Sequence, residues 1–290
     1  MNPLDLVWLF FLFSSIQPML QQRYLTYQRS AALRSVEKRN HSRVITMIHR
    51  KEGFAFLGIP FGGFIDIDDS EEVIRAIEMT SDKMPIDMIL HTPGGLVLAA
   101  EQIAAALAAH PGDVTVYVPH YAMSGGTLIA LAADRIVMSP SAVLGPVDPQ
   151  IGDMPAASII AAAAQKDANN TEDRTLVLAD VSRKAQHQVE LFVKKLLARH
   201  LPGDRAGEVA HALSEGRWTH DFPISPEFAA DLGLPVSTEL PDEVRLLMRL
   251  YPQPRGRRPS VEYIPSPYDR PAPAVPARRP QHAGNGRGAA

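Results

Sequence analysis

The chain has 290 residues, 46% of them hydrophobic, enough for one substantial core with appendages around a main domain of roughly 200 residues. Its 29 basic and 32 acidic residues leave a net charge of −3, which on bulk electrostatics argues against a nucleic-acid binder. The absence of cysteine excludes disulfides, thiolate metal sites and a cysteine nucleophile, and the 10 histidines form no HxxxH pair on a helical stretch, so no metal site and no cofactor is expected.

The N-terminus carries an uninterrupted apolar run from Leu6 to Phe13, whose extension is broken by Gln17 and Pro18. A comfortable membrane span needs about 20 apolar residues, so the run is borderline. It lacks a basic leader and a small-residue cleavage site, which argues against a cleaved signal peptide. Arg23, Arg29, Arg34, Lys38, Arg39 and Arg43 follow. Residues 1–22 therefore read as a membrane-associating hydrophobic helix and residues 23–43 as a basic helical linker. If the first segment spans, the positive excess keeps the folded domain on the cytoplasmic side; if it lies in the interface, the same side chains meet anionic head groups.

From Val44 to about residue 250 the pattern is α/β. Val44–Ile48, Ile86–His91, Val114–Val118 and Arg135–Met138 read as strands. Glu71–Met79, Leu96–His110 and Gly126–Asp134 read as the helices between them, followed by a long helix from about Leu176 to His200 and a short one within Pro223–Leu234. Strands alternating with helices imply a mostly parallel sheet, whose functional groups gather at the carboxyl ends of its strands. Residues 251–290 crowd prolines with arginines and glycines, a composition that cannot bury enough apolar surface to fold and predicts a largely disordered tail.

One junction stands out for chemistry. Tyr121-Ala-Met-Ser-Gly-Gly-Thr127 places Ser124 between a β-branched strand and an apolar helix, where a sharp bend presents a side chain and aims the following N–H groups at it. Ser124 is the candidate nucleophile; the competing role for a serine at this place is to cap the helix. A hydrolytic serine needs donors for the developing oxyanion. The N–H of Gly125 is one, and the Thr92-Pro-Gly-Gly95 turn at the end of the neighbouring strand offers Gly94 or Gly95 as the other. For the base, His91 and His120 are the nearby histidines, and a buried lysine with depressed pKa is the other option. On a wheel, Val181, Ala185, Val189, Phe192 and Leu196 form an apolar stripe, with Lys194 opposite it and Lys184 on its flank. Geometry alone leaves Lys184 and Lys166 both open.

His91-Thr-Pro-Gly-Gly95, the run from Tyr121 to Asp134 and Leu144-Gly-Pro-Val-Asp-Pro-Gln150 resemble the serine dehydrogenase proteinase family, a branch of the Clp/crotonase-fold serine peptidases related to signal peptide peptidase A. Met47-Ile-His-Arg-Lys51, Trp218-Thr-His-Asp-Phe-Pro-Ile224 and Val261-Glu-Tyr-Ile-Pro265 are similar to it as well, so the resemblance covers nearly the whole chain. No GxGxxG follows a strand, so no nicotinamide site is expected despite the family's name. The resemblance implies a repeated ββα spiral fold, homo-oligomeric assembly and a Ser-Lys dyad. Lys184 followed by Val193-Lys-Lys-Leu-Leu197 reproduces the lysine arrangement of the stomatin-cleaving relatives, which makes Lys184 the base and Lys166 the second choice. The histidine of Clp-type peptidases is missing from the segment Leu144–Gln150. The expected activity is a membrane-associated serine endopeptidase acting on hydrophobic or membrane-protein segments. A catalytically silent membrane-anchored scaffold of the same fold is the alternative, and thioester hydrolysis is a further rival with no adenine-binding feature behind it.

Overall fold

A computed structural model of the chain describes residues 3–49, 55–56, 59–60 and 63–251. The Pro/Arg-rich tail expected after Tyr251 lies outside the described residues, as do Arg50 and Lys51 of one resembling motif and all of Val261–Pro265. Helix α1 (Pro3–Asn40) leads into strand β1 (Arg43–Ile48); a small antiparallel pair follows, β2 (Ala55–Phe56) with β3 (Ile59–Pro60). Helix α2 (Ile67–Glu78), β4 (Ile86–His91), α3 (Val97–Ala109), β5 (Val114–Val118), β6 (Tyr121–Ala122), α4 (Gly125–Leu131), β7 (Arg135–Met138) and β8 (Val143–Leu144) come next. The remainder is a short hairpin, β9 (Gln150–Ile151) with β10 (Met154–Pro155), then α5 (Ala156–Ala164), α6 (Asp173–Leu197), α7 (Gly203–Ser214), α8 (Pro226–Asp231), β11 (Val236–Ser237) and α9 (Asp242–Arg249).

Five strands form one sheet in the order β1-β4-β5-β7-β11, every neighbouring pair parallel. Every residue of β4 and β5 is buried, as expected of strands covered by helices on both faces. That explains why they read in sequence as near-continuous apolar runs. Below each long strand the chain makes a second, shorter extended segment before entering its helix. These segments pair in a row: Ile65 with Gly95, Thr92 with Ala122, Tyr121–Ala122 with Val143–Leu144, and Leu144 with Ile224. The repeated unit is thus strand, short strand, helix, and the row of short strands lies at the carboxyl ends of the sheet.

Two apolar clusters flank the sheet. The larger takes in Ile65, Met88, Leu90, Ile103, Leu107, Val116, Leu128, Ile136, Val193 and Leu197. The smaller joins Val36 of α1 to Ile89, Tyr117 and Val137 on the opposite face and to Val244 and Leu247 of α9. The end of α1 is fixed by polar contacts as well. Asn40 Nδ2 and Ser42 Oγ each donate to Asp87 Oδ2 at 2.6 Å, and Asp87 is buried. Burial, and then the neighbouring Asp87 charge, push the Tyr117 phenol up from its ordinary value. Of the basic residues expected to face lipid, Arg29 donates to the Leu250 carbonyl at 2.8 Å and stacks on Tyr251, and Arg39 pairs with Glu243. These two hold α9 in place and are not free for head groups.

Helix α6 departs from its sequence reading. Val189 and Leu196 are buried, but Val181 is 42% exposed, and the buried positions of the first half are Ala179 and Ser182. The helix leans on α5 at its start and on α4 and α7 further along, so its buried face rotates and no single stripe describes it. Lys194 is exposed, as the wheel places it.

Candidate active site

Ser124 sits between β6 and α4 with φ 52° and ψ −117°. Non-glycine residues in the left-handed half of φ space carry strain of order 1–3 kcal/mol and persist only where the surroundings over-determine them. Here they do: Met123 N–H donates to the Thr92 carbonyl at 3.0 Å before the bend, and Thr127 N–H to the Ser124 carbonyl at 2.8 Å after it. Ser124 occupies the N-cap position of α4, yet its side chain makes no capping bond. The capping role is thereby excluded, and the hydroxyl is left for chemistry.

The Pro93-Gly94-Gly95 turn lies directly against this bend. A Cβ added to Gly94 would stand 2.8 Å from Ser124 Cβ, and Gly94 itself has φ +105°, so the position requires glycine on both counts. The sequence leaves Gly94 and Gly95 open as oxyanion donors. The structure separates them: Gly94 N–H donates to Thr92 Oγ1 at 3.2 Å, whereas Gly95 and Gly125 line a cavity of about 160 Å3 together with Ser124. Among the described residues neither of those two N–H groups bonds to a carbonyl, as a site waiting for a substrate oxygen requires. Behind the turn, His49 bridges Thr92 Oγ1 at 2.8 Å and Asp69 Oδ2 at 3.1 Å. Burial opposes the Asp69 charge, but the bond to His49 and the Asp66 N–H win, and its carboxyl is held below the usual range.

The other wall of the cavity comes from far along the chain: Val147, Asp148, Pro149, Gln150, Val189 and His220. The segment from Leu144 to Gln150 is tied down at both sides. Gly145 N–H donates to Thr127 Oγ1 at 3.0 Å, linking it to α4. Leu144 and Ile224 exchange N–H···O bonds of 3.0 and 2.9 Å, linking it to the segment that carries His220. The result is a contact of 2.8 Å between His220 Nδ1 and Asp148 Oδ1. Asp148 is buried, and its other oxygen accepts from Gln150 Nε2 at 2.7 Å.

The remaining base candidates do not meet Ser124. Lys184 is on the solvent face of α6, its side chain 69% exposed and its Nζ 2.5 Å from Asp180 Oδ2 one turn earlier. An ammonium so placed keeps its hydration and its partner. Lys166 is exposed beyond the end of α5. His91 is buried at the end of β4 against Tyr121, with ring centroids 4.3 Å apart, and His120 lines a different hollow with Pro119, Leu240, Arg245 and Met248. Neither histidine lines the Ser124 cavity. Among the described residues no group of three or more metal-ligating side chains occurs.

A strained serine beside two unpaired N–H groups is the arrangement of a serine hydrolase, and the model of the ClpP-like SDH-type serine proteinase family matches residues 2–278. The chain belongs to that family. Two uncharacterized proteins of Methanocaldococcus jannaschii are similar to it. One is 53% identical over 260 residues, 90% of this chain and 91% of its own; the other is 50% identical over 271 residues, 93% and 92%. Among solved structures, a membrane-bound stomatin-specific protease aligns at 19% identity over 70% of this chain and 82% of that one, with a TM-score of 0.44. ClpP1 from Listeria monocytogenes aligns at 16% identity over 72% and 98%, with a TM-score of 0.45. The family membership places the parallel α/β sheet described above in the ClpP-like fold.

Asp148 and His220 are the residues the sequence reading passes over. Both stand inside quoted motifs, and the available signal was an aspartate between two prolines, which cannot be a helix or central-strand position and is costly to bury without a partner.

Proposed function

We propose that this member of the family is an endopeptidase in which Ser124 attacks the carbonyl of an apolar peptide segment while the N–H groups of Gly95 and Gly125 receive the oxyanion. The observation that carries this reading is the strained Ser124, uncapped and facing the same cavity as both donors. Support for an apolar substrate comes from a groove of about 730 Å3 that shares Val97, Pro149, Gln150 and Val189 with that cavity and continues along Leu98, Ile151, Leu191 and Phe192. Burial raises the Glu101 carboxyl in the groove from its ordinary value. The test is covalent: a fluorophosphonate probe should modify the wild-type protein at Ser124, read by mass spectrometry of the labelled peptide. Wild-type protein that takes up no probe and cleaves neither casein nor an apolar peptide would sink the reading.

Membrane association is part of the proposal. No helix of the described residues is long and apolar enough to cross a membrane, so the reading is that the run Leu6 to Phe13 lies in the interface. Arg23, Arg34 and Lys38 supply positive charge beside it to meet anionic head groups. Exposed Leu176, Val177 and Val181 of α6 support self-association, which would cover them. The protein should float with phosphatidylglycerol-containing vesicles and sediment as an oligomer. Flotation that survives Leu9→Glu with Phe13→Glu, or a monomer at micromolar concentration, would remove the corresponding part. The Ser-Lys dyad implied by the resemblance would need Lys184 to leave Asp180 and reach the cavity, and no contact of the described residues supports that move.

A further inference from the structure

We infer that His49, seated on Asp69, is a positioning residue for the glycine turn: acting through the Thr92 hydroxyl, it holds the Gly94–Gly95 peptide so that the Gly95 N–H faces Ser124. The inference rests on the reading of Ser124 as nucleophile and Gly95 as donor. His49 belongs to the Met47–Lys51 motif, to which the Ser124 cavity gives no role. It stands immediately after β1, where its N–H donates to the His91 carbonyl at 2.7 Å and extends the pairing with β4. That backbone bond brings its ring to Thr92, the residue that opens the turn.

The hydrogen bonds run in one direction. Burial opposes the Asp69 charge, yet its carboxyl is held below the usual range, so it only accepts. The hydrogen of the 3.1 Å contact therefore sits on His49 Nε2, and Nδ1 accepts from the Thr92 hydroxyl at 2.8 Å. Thr92 Oγ1 keeps a lone pair for the Gly94 N–H at 3.2 Å. A second branch leaves the same Asp69 oxygen. Oδ2 also accepts from Asp66 N–H at 3.0 Å, and the neighbouring Ile65 N–H donates to the Gly94 carbonyl at 2.8 Å. Gly94 is thus gripped at its N–H and at its carbonyl by two branches that meet at one carboxylate. In a trans peptide the Gly95 N–H points away from the Gly94 carbonyl. Fixing that carbonyl on Ile65 turns the N–H to the opposite side, where Gly95 lines the cavity. An aspartate, a histidine and a hydroxyl in line are also the order of a nucleophile relay. Thr92 cannot serve as one, because it is fully buried and does not line the cavity. The line ends on the backbone of the turn, and positioning is what it can do.

The test uses the full chain, a fluorogenic apolar peptide that the wild type cleaves, and the fluorophosphonate probe. A displaced donor weakens the transition state and leaves ground-state binding alone. His49→Phe keeps a ring and removes both bonds. Measured well below its melting point, it should lower kcat and the labelling rate by about ten- to a hundredfold, at a KM within about twofold. Thr92→Val should do the same, whereas Thr92→Ser, which keeps the hydroxyl, should stay within about threefold of wild type. Because the two residues act in one line, His49→Phe with Thr92→Val should lose no more than either alone; two separate structural supports would multiply their losses. If His49→Phe does not fold, Thr92→Val against Thr92→Ser decides, and valine as active as serine overturns the inference. A folded His49→Phe within about threefold of wild type, or a double variant whose loss is the product of the single losses, overturns it as well and leaves Ser124 untouched. A wild type that takes up no probe and cleaves no peptide overturns the peptidase reading itself, and this inference with it.

Discussion

Ser124→Ala is expected to lower kcat on a peptide substrate by about five to six orders of magnitude, and Ser124→Gly to do the same while raising the melting temperature. Both remove the nucleophile, so both should abolish hydrolysis and probe uptake. They differ in the backbone. Alanine retains a Cβ at φ 52° and ψ −117° and keeps the strain of that conformation. Glycine adopts it freely, releasing about 1–3 kcal/mol of strain against roughly 0.4–1 kcal/mol of extra chain entropy in the unfolded state. A net gain of about 1–2 kcal/mol corresponds to a rise of several degrees for a domain of this size. Thermal melts of the three proteins, beside their hydrolysis rates, read the two effects separately. Hydrolysis surviving in Ser124→Ala would remove Ser124 as nucleophile. A glycine variant melting no higher than the alanine variant would mean that the bend costs nothing and that its geometry is no sign of function.

Much of the frame was legible before folding was considered. The runs Ile86–His91 and Val114–Val118 are buried on both faces, so they read as apolar without alternation, and the Gly-Gly pairs mark the two places where the chain must approach itself. The neighbourhood of Ser124, Gly95 and Gly125 is legible because a tight bend at a strand end has a local residue requirement. Asp148 and His220 could not be paired, since 72 positions separate them and the bonds that bring them together are backbone bonds between Leu144 and Ile224, which leave no residue signature. The solvent position of Lys184 is hidden in the sequence for a related reason. An apolar stripe drawn over the whole of α6 assumes one packing partner, while the helix has α5 at its start and α4 and α7 later, and the flank at Lys184 faces solvent. Helix α5 is not legible because an alanine-rich segment such as Ala156–Ala164 shows little period of its own and is fixed by its neighbours.

Gly95→Ala should damage folding and catalysis together. An added Cβ would lie 2.2 Å from the Ile65 carbonyl oxygen, 2.3 Å from its nitrogen and 2.7 Å from its Cα. All three are backbone atoms, so no rotamer change relieves the overlap, and the row of short strands must open at its first link. Opening it strains two bonds of 2.8 Å each, from Ile65 N–H to the Gly94 carbonyl and from Leu96 N–H to the Ile65 carbonyl. Two such bonds at about 1 kcal/mol each, with overpacking of 1–3 kcal/mol, give a destabilisation of about 3–5 kcal/mol. Where the variant still folds, the displaced Gly95 N–H no longer meets an oxyanion beside Ser124, and kcat should fall by a further factor of about 100 to 1,000. Gly207→Ala is the matched comparison: it lies inside α7, its Cβ meets only the end of the Lys194 side chain at 3.6 Å, and it should gain up to about 1 kcal/mol in helix propensity at unchanged kcat. Melting curves measure the first loss, and kcat measured well below the melting point of Gly95→Ala measures the second. If that variant melts and turns over like the wild type, the close approach of Gly95 to Ile65 does not hold the oxyanion site; if it melts low but turns over normally, Gly95 serves the fold alone and the second donor lies elsewhere.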